Sequence, residues 1–183
     1  SQVSLRNRSR RMISSAPGGF RCVRFRKERK MNESEGQKDY HMIRPMKAKD
    51  TDCVLEMMQV FYASPAVFTN GSDNIFLSDI AACVGDSPYL EGYIFEEGME
   101  ILGYAMIAKS FSTEFGKPCM WIEDLYIREA YRGTGLGSKF LDYIEAKYPE
   151  ALLRLEVEEE NERAVRVYKK SGFTVLPYME MKK

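Results

Sequence analysis

Tyr131-Arg132-Gly133-Thr134-Gly135-Leu136-Gly137-Ser138 joins a strand-like run ending at Ile127 to a helix whose apolar face is Leu136, Phe140, Leu141, Ile144 and Tyr148. Three glycines, Gly133, Gly135 and Gly137, fall within five residues. So few side chains let backbone N–H groups close around an anion, and the start of the helix adds about half a positive charge at the same place. The ligand this chemistry suits is a pyrophosphate. The alternative is a tight strand-to-helix turn that needs glycine for its backbone alone.

Spacing excludes two phosphate loops. A G-x-x-x-x-G-K-[ST] loop starting at Gly133 needs glycine where Ser138 stands. A G-x-G-x-x-G loop fails at the same residue, and it normally opens an N-terminal βαβ unit, whereas three strands come first here. What remains is [QR]-x-x-G-x-[GA], which Arg132 through Gly137 fit.

Upstream of the loop, Met42–Lys47 reads as a short strand, followed by Asp50 or Thr51 as N-cap of a helix with Val54, Leu55, Met58, Phe61 and Tyr62 at helical spacing. A second helix is expected over Ile75–Val84. Tyr89–Phe95, Glu100–Ser110 and Cys119–Ile127 read as strands separated by turns at Glu97-Gly98 and Gly116-Lys117-Pro118, an antiparallel meander. Downstream come a helix stopped by Pro149, a strand at Leu152–Glu158, a helix at Glu162–Ser171 ended by Gly172, and a last strand from Phe173 to Met181.

The second helix after the loop carries Asn161-Glu162-Arg163-Ala164-Val165-Arg166-Val167-Tyr168-Lys169-Lys170-Ser171-Gly172-Phe173, an N-x-x-A-x-x-x-Y-x-x-x-G-F pattern. Together with the glycine loop it resembles the GNAT superfamily of N-acetyltransferases over residues 42–183. The run from Gly116-Lys117 through Trp121-Ile122-Glu123-Asp124-Leu125-Tyr126-Ile127 is similar to the polyamine (spermidine/spermine-type) branch and to small bacterial relatives. The resemblance implies an α/β (α+β) fold, a mostly antiparallel twisted sheet of six to seven strands with flanking helices. It also implies a V-shaped splay between the fourth and fifth strands, in which the pantetheine of acetyl-CoA acts as a substitute strand. Leu125 and Ile127, with Tyr126 between them, would supply the cofactor-pairing edge, and Gly133, Thr134, Gly135, Leu136, Gly137 and Ser138 would hold the pyrophosphate. Arg132 would either touch a phosphate or cap the turn. Asn161 and Ala164 would lie near the cofactor, with Asn161 also placed to cap its helix.

Acetyl transfer from a thioester to an amine needs a neutral amine, a stabilised oxyanion and a proton for the departing thiolate. Family likeness aims Tyr168 at the sulfur as general acid; a tyrosine keeps its proton at pH 7, with an ordinary pKa of about 10 against about 8.5 for a thiol. The competing role is a core tyrosine on an amphipathic helix. Glu123 occupies the place of the branch's proton-accepting carboxylate, with Asp124 as second choice. Adjacent residues on one strand face opposite ways unless a bulge intervenes. The Leu125 N–H would polarise the thioester carbonyl. Trp121, Tyr104 and Tyr126 either line an acceptor pocket or belong to the sheet core. Acceptor contacts would come from Thr51–Asp86, which carries no readable signature.

Composition narrows the field further. The chain has 183 residues with 27 basic and 27 acidic, but residues 1–30 carry ten Lys/Arg against one acid (10 − 1 = +9), leaving 17 − 26 = −9 for residues 31–183. No apolar run approaches the ~20 residues of a membrane span. Cys22, Cys53, Cys83 and Cys119 form no CxxC pair, so a reducing compartment is the default and a cytoplasmic location is expected. The lone histidine, His41, makes His-based nucleophilic or metal chemistry improbable, and no metal is expected. The acidic body would attract a cationic acceptor. The expected function is therefore transfer of acetyl from acetyl-CoA to a primary amine of a polyamine, amino acid or aminoglycoside-like molecule. The alternatives are a protein lysine or N-terminal acetyltransferase and a non-catalytic acyl-CoA-binding module. No membrane or nucleic-acid partner is expected, and a homodimer stays open.

Residues 1–41 form a basic and polar leader without sustained periodicity, readable as a nucleic-acid or membrane arm, a transit peptide, or upstream sequence that does no work. The last is preferred, since Met31 and Met42 both offer starts for the domain at 42–183. Deleting residues 1–40 is expected to leave melting temperature and turnover nearly unchanged. A large loss in either would show that the arm packs into the domain or completes its site.

Overall fold

The meander forms because its runs are apolar over a strand's length and send successive side chains into cores on both faces, with Gly92–Phe95 and Leu102–Ile107 buried without a break. In the computed structural model, which describes residues 40–67, 71–179 and 181–183, β2 (Leu90–Glu97) pairs antiparallel with β3 (Glu100–Ser112), and β3 with β4 (Lys117–Ile127). β1 (Ile43–Pro45) joins β2 antiparallel, and β5 (Leu152–Leu155) joins β4 parallel, giving the order β1-β2-β3-β4-β5. Of the leader, residues 1–39 lie outside the described residues.

Two apolar layers sandwich this sheet. On one face Val54, Met57 and Met58 of α1 (Thr51–Tyr62) and Phe76 and Ile80 of α2 (Asp73–Val84) meet Ile94, Tyr104, Met106 and Tyr126. On the other, Phe140, Leu141 and Ile144 of α3 (Leu136–Lys147) meet Tyr93, Phe95, Ile107, Met120 and Ile122, and Val167 and Tyr168 of α4 (Glu162–Lys170) pack at its margin. Each such side chain contributes roughly 1.5–3 kcal/mol when fully buried.

Four expectations need correction. The sheet has five strands among the described residues rather than six to seven. Among the described residues the expected last strand does not form: the Phe173 N–H donates back to the Tyr168 carbonyl at 3.0 Å, closing the end of α4, and Pro177 has no ladder donor to offer. Val175 and Met179 stay in solvent, 84% and 87% exposed, and the Tyr178 hydroxyl donates to Glu114 at 2.6 Å. The strand expected to reach Glu158 ends at Leu155. Asp50 stands at the N-cap of α1 without capping it; it accepts from Arg44 Nη1 and Nη2 at 2.7 and 2.9 Å and from the Lys47 N–H at 2.8 Å.

A part-buried charge cluster ties the sheet to α3. Glu91 accepts from Lys109 Nζ at 2.7 Å, from the Tyr148 hydroxyl at 2.6 and 2.7 Å, from Lys147 Nζ at 3.2 Å, and from the Tyr93 hydroxyl. Burial pushes this carboxyl up, but the hydrogen bonds from Lys109, Tyr148 and Tyr93 and the Lys147 charge outweigh it and hold the pKa down at about 2. A depressed folded pKa stabilises above the ordinary value near 4.5, and that contribution is lost as pH falls towards about 2. Glu91→Gln should lose about 3–5 kcal/mol at neutral pH by stranding two lysines, and should flatten the stability curve across that acid window. Urea unfolding at stepped pH checks it; a wild-type acid slope in the variant would contradict it.

Candidate active site

The glycine loop begins after a 3₁₀ turn at Glu129–Tyr131. Gly133 and Gly135 both adopt left-handed backbone, at φ +89° and +87°, which other residues take only at a cost of roughly 1–2 kcal/mol. Thr134 Oγ1 donates to the Tyr131 carbonyl at 2.9 Å and pins the loop. Gly135 then serves as N-cap of α3 with no capping side chain, so the first N–H groups of that helix face outward. A Cβ built on Gly135 would meet nothing within 4 Å: the loop is open on that side.

Two arginines border the loop. Arg132 is turned back onto the chain, its Nε donating to the Ile127 carbonyl at 2.9 Å and its guanidinium 5.7 Å from the Tyr126 ring centroid. Arg163, in the first turn of α4, reaches across instead; its Nη2 lies 3.4 Å from where a Gly133 Cβ would sit. The cationic side chain standing over Gly133 therefore comes from the second motif. Sequence reasoning passed over Arg163 because an exposed helix arginine looks like solubilising surface.

β4 offers the loop an open neighbour. Its pairing with β5 covers Cys119 to Ile122, opposite Leu152 to Leu155, and stops there. From Glu123 to Ile127 no described strand lies on that side, while β3 continues to pair on the other. The splay expected between the fourth and fifth strands is thus present, and the backbone of Leu125, Tyr126 and Ile127 borders it. An open strand edge running to an uncapped helix N-terminus suits a long ligand with amides at one end and phosphates at the other, as coenzyme A has.

The same stretch contains a β-bulge. Met106 pairs with Asp124 and Ile107 with Ile122, leaving Glu123 as an extra residue. Alternation is reset across it: Ile122 and Leu125, three apart, both contact the α3 side, while Asp124 and Tyr126 turn to the α1/α2 side. Glu123 is exposed and Asp124 is 3% exposed.

Asp124 accepts from the Tyr62 hydroxyl at Oδ1, 3.0 Å, and from the Tyr104 hydroxyl at Oδ2, 2.9 Å. Burial raises its pKa, the two hydroxyls pull it back, and the Asp79 and Glu123 charges raise it further, to about 6. Sequence reasoning missed Tyr62 and Asp79: each sits on an amphipathic helix, and nothing local couples either to residue 124. Of the aromatic residues expected near the acceptor, Tyr104 is fully buried against Asp124 and Tyr126 lies in the core. Trp121 is half-buried, with the Arg154 guanidinium 4.4 Å from its ring centroid.

Tyr168 lies on the other side of β4. It is half-buried against the α3-side core, its ring 5.9 Å from Phe173, and burial raises its pKa, so it holds its proton at neutral pH. Its hydroxyl has no hydrogen-bond partner among the described residues. Asn161 caps α4, its Oδ1 accepting from the Ala164 N–H at 3.3 Å, so Asn161 and Ala164 together fix the start of the helix that carries Tyr168.

Comparison with known proteins follows the same outline. The family model described as "Acetyltransferase (GNAT) family" matches residues 55–173. Thialysine N-epsilon-acetyltransferase of Bos taurus is 28% identical over 145 residues, covering 72% of this chain and 82% of the relative. The Sus scrofa protein of that name is 29% identical over 145 residues, covering 68% and 80%. Among solved structures, a possible acetyltransferase from Clostridium difficile 630 superposes with a TM-score of 0.65 at 17% identity, covering 77% of this chain and 95% of that one. AAC(6')-Iy in complex with the bisubstrate analogue CoA-S-monomethyl-acetylneamine gives 0.63 at 13% identity over 77% and 95%. These structural likenesses carry the fold, and the match through both motifs carries the family. The chain belongs to the GNAT acetyltransferase family and is an acetyl-CoA-dependent N-acetyltransferase.

Proposed function

We propose that this enzyme acetylates a primary amine on a small cationic acceptor in the cytoplasm. The observation that carries the proposal is Asp124, a buried carboxyl at the bulge whose strongest charged neighbours, Asp79 and Glu123, are both negative. Negative charge gathered at one point of the cleft attracts a cationic acceptor, which an alkylammonium is. The name of the bovine and porcine relatives points to the N-epsilon amine of a lysine-like amino acid as one acceptor of this kind. Among the described residues no helix is long and apolar enough to cross a membrane.

Acetyl-CoA, when bound, supplies the activated acyl group as a thioester. In this reading the open edge at Leu125, Tyr126 and Ile127 and the N–H groups from Gly133 to Ser138 hold and orient it, with Arg163 adding charge beside Gly133. An acceptor ammonium has a pKa of about 10.4 by the lysine reference, so it arrives protonated. Exposed Glu123 draws it to the bulge, and Asp124, ionised above about pH 6, takes the proton. The Leu125 N–H polarises the carbonyl, and the Tyr168 hydroxyl, on the helix capped by Asn161, protonates the departing thiolate and is restored by the proton that the acylated nitrogen gives up.

Free-thiol release from acetyl-CoA across polyamines, lysine-like amino acids, aminoglycosides and peptides tests the acceptor class. Release with peptides alone would turn the reading to a protein acetyltransferase, and acetyl-CoA binding without release under any acceptor would make the chain a binding module. For the cofactor site, Gly135→Val puts its side chain into the open face of the loop, so acetyl-CoA binding by calorimetry should vanish in a protein that still melts cooperatively. For the acid, Tyr168→Phe should keep coenzyme affinity while turnover falls by about 10²-fold. Full activity in that variant at every pH would assign sulfur protonation to water or another residue.

A further inference from the structure

We infer that the Tyr62 hydroxyl relays the acceptor's proton to Asp124: the ammonium passes a proton to Tyr62 Oη while Tyr62 passes its own to Asp124 Oδ1. The inference rests on the N-acetyltransferase reading above and assigns it a residue that nothing in the sequence marks. Asp124 is 3% exposed and both of its oxygens are taken, Oδ1 by Tyr62 at 3.0 Å and Oδ2 by Tyr104 at 2.9 Å. Tyr104 is fully buried, so that hydroxyl leads only into the core. Tyr62 is the half-buried member of the set, at the last residue of α1 and close enough to the exposed Glu123 to feel its charge. Its ring is fixed by Phe61 and Phe76, at centroid distances of 5.4 and 4.8 Å. The path from a cleft-bound amine to the buried carboxylate therefore runs through the Tyr62 oxygen.

The transfer balances. One ammonium N–H bond breaks and an O–H bond forms at Tyr62; the original Tyr62 O–H breaks and an O–H forms at Asp124. The products are a neutral amine, an unchanged tyrosine and a carboxylic acid, with no change of oxidation state. The two movements are coupled, because burial and the Asp124, Asp79 and Glu123 charges all disfavour a free tyrosinate at Tyr62. The groups facing Asp124 are Tyr62 from α1, Asp79 and Cys83 from α2, Tyr104 from β3 and Glu123 from β4; burial and the carboxylates push the Cys83 thiol up to about 12, so it stays protonated.

Tyr62→Phe and Tyr104→Phe separate relay from tuning. Each deletes one donor to Asp124, so carbon-13 carboxyl titration of the uncomplexed protein should show the Asp124 pKa rising in both. In amine acetylation both variants should move the acid limb of kcat to higher pH. On the plateau only Tyr62→Phe should fall by about 10²-fold with KM little changed, while Tyr104→Phe loses a few-fold at most. Equal plateau rates in the two variants, or an Asp124 titration indifferent to Tyr62→Phe, would overturn the relay and leave the transferase reading intact. A wild-type protein that binds acetyl-CoA yet releases no thiol with any amine would remove both together.

Discussion

One extra residue in β4 organises this site. A regular strand would send Glu123 and Asp124 to opposite faces and keep Ile122 and Asp124 on the same one. The bulge at Glu123 instead lets Ile122 and Leu125 both pack towards α3, and it turns Asp124 under α1 and α2. Pairing with β5 stops one residue before it, at Ile122. The open edge, the buried carboxyl and the exposed carboxyl thus lie at consecutive positions of one strand.

Part-buried Glu91 and buried Asp124 are treated in opposite ways. Glu91 is surrounded by Lys109, Lys147 and two tyrosine hydroxyls, and is held ionised down to about pH 2. Asp124 receives two hydroxyls and has the negative Asp79 and Glu123 beside it, and its pKa rises to about 6. Both pay desolvation, so the difference is made by cations. A carboxylate at about 2 is too weak a base to relieve an ammonium, whereas one near 6 is ionised at neutral pH and better matched to the proton it receives. Glu91 accordingly fastens α3 to the sheet, and Asp124 is suited to chemistry.

The two signature stretches also meet in space. Gly133 and Gly135 shape the loop through left-handed backbone, and Arg163 from the other stretch stands beside Gly133. Asn161, which caps α4, sets where that helix begins and so where Arg163 and Tyr168 project, five residues apart. Losing the cap would disturb the placement of both side chains together.

The sequence by itself determined the meander, the order of the helices and the glycine loop, because these rest on local periodicity and on turn chemistry within a few residues of each glycine. The end of the fifth strand and the segment after α4 are not legible in this way: apolar residues from Phe173 to Met181 look strand-like, but a strand needs a partner edge, and the Phe173 N–H is spent on closing α4. At the site, Glu123 and Asp124 were legible as a carboxylate pair. Which of them is buried was not, because a bulge is a mismatch between two strands and neither strand records it alone. Only the tertiary structure brought Tyr62 to Asp124 across 62 positions of chain, along with Tyr104, Asp79 and the Glu91 cluster. The dielectric and hydrogen bonding that set a carboxyl's acidity come from whatever packs around it, and that is decided by the fold.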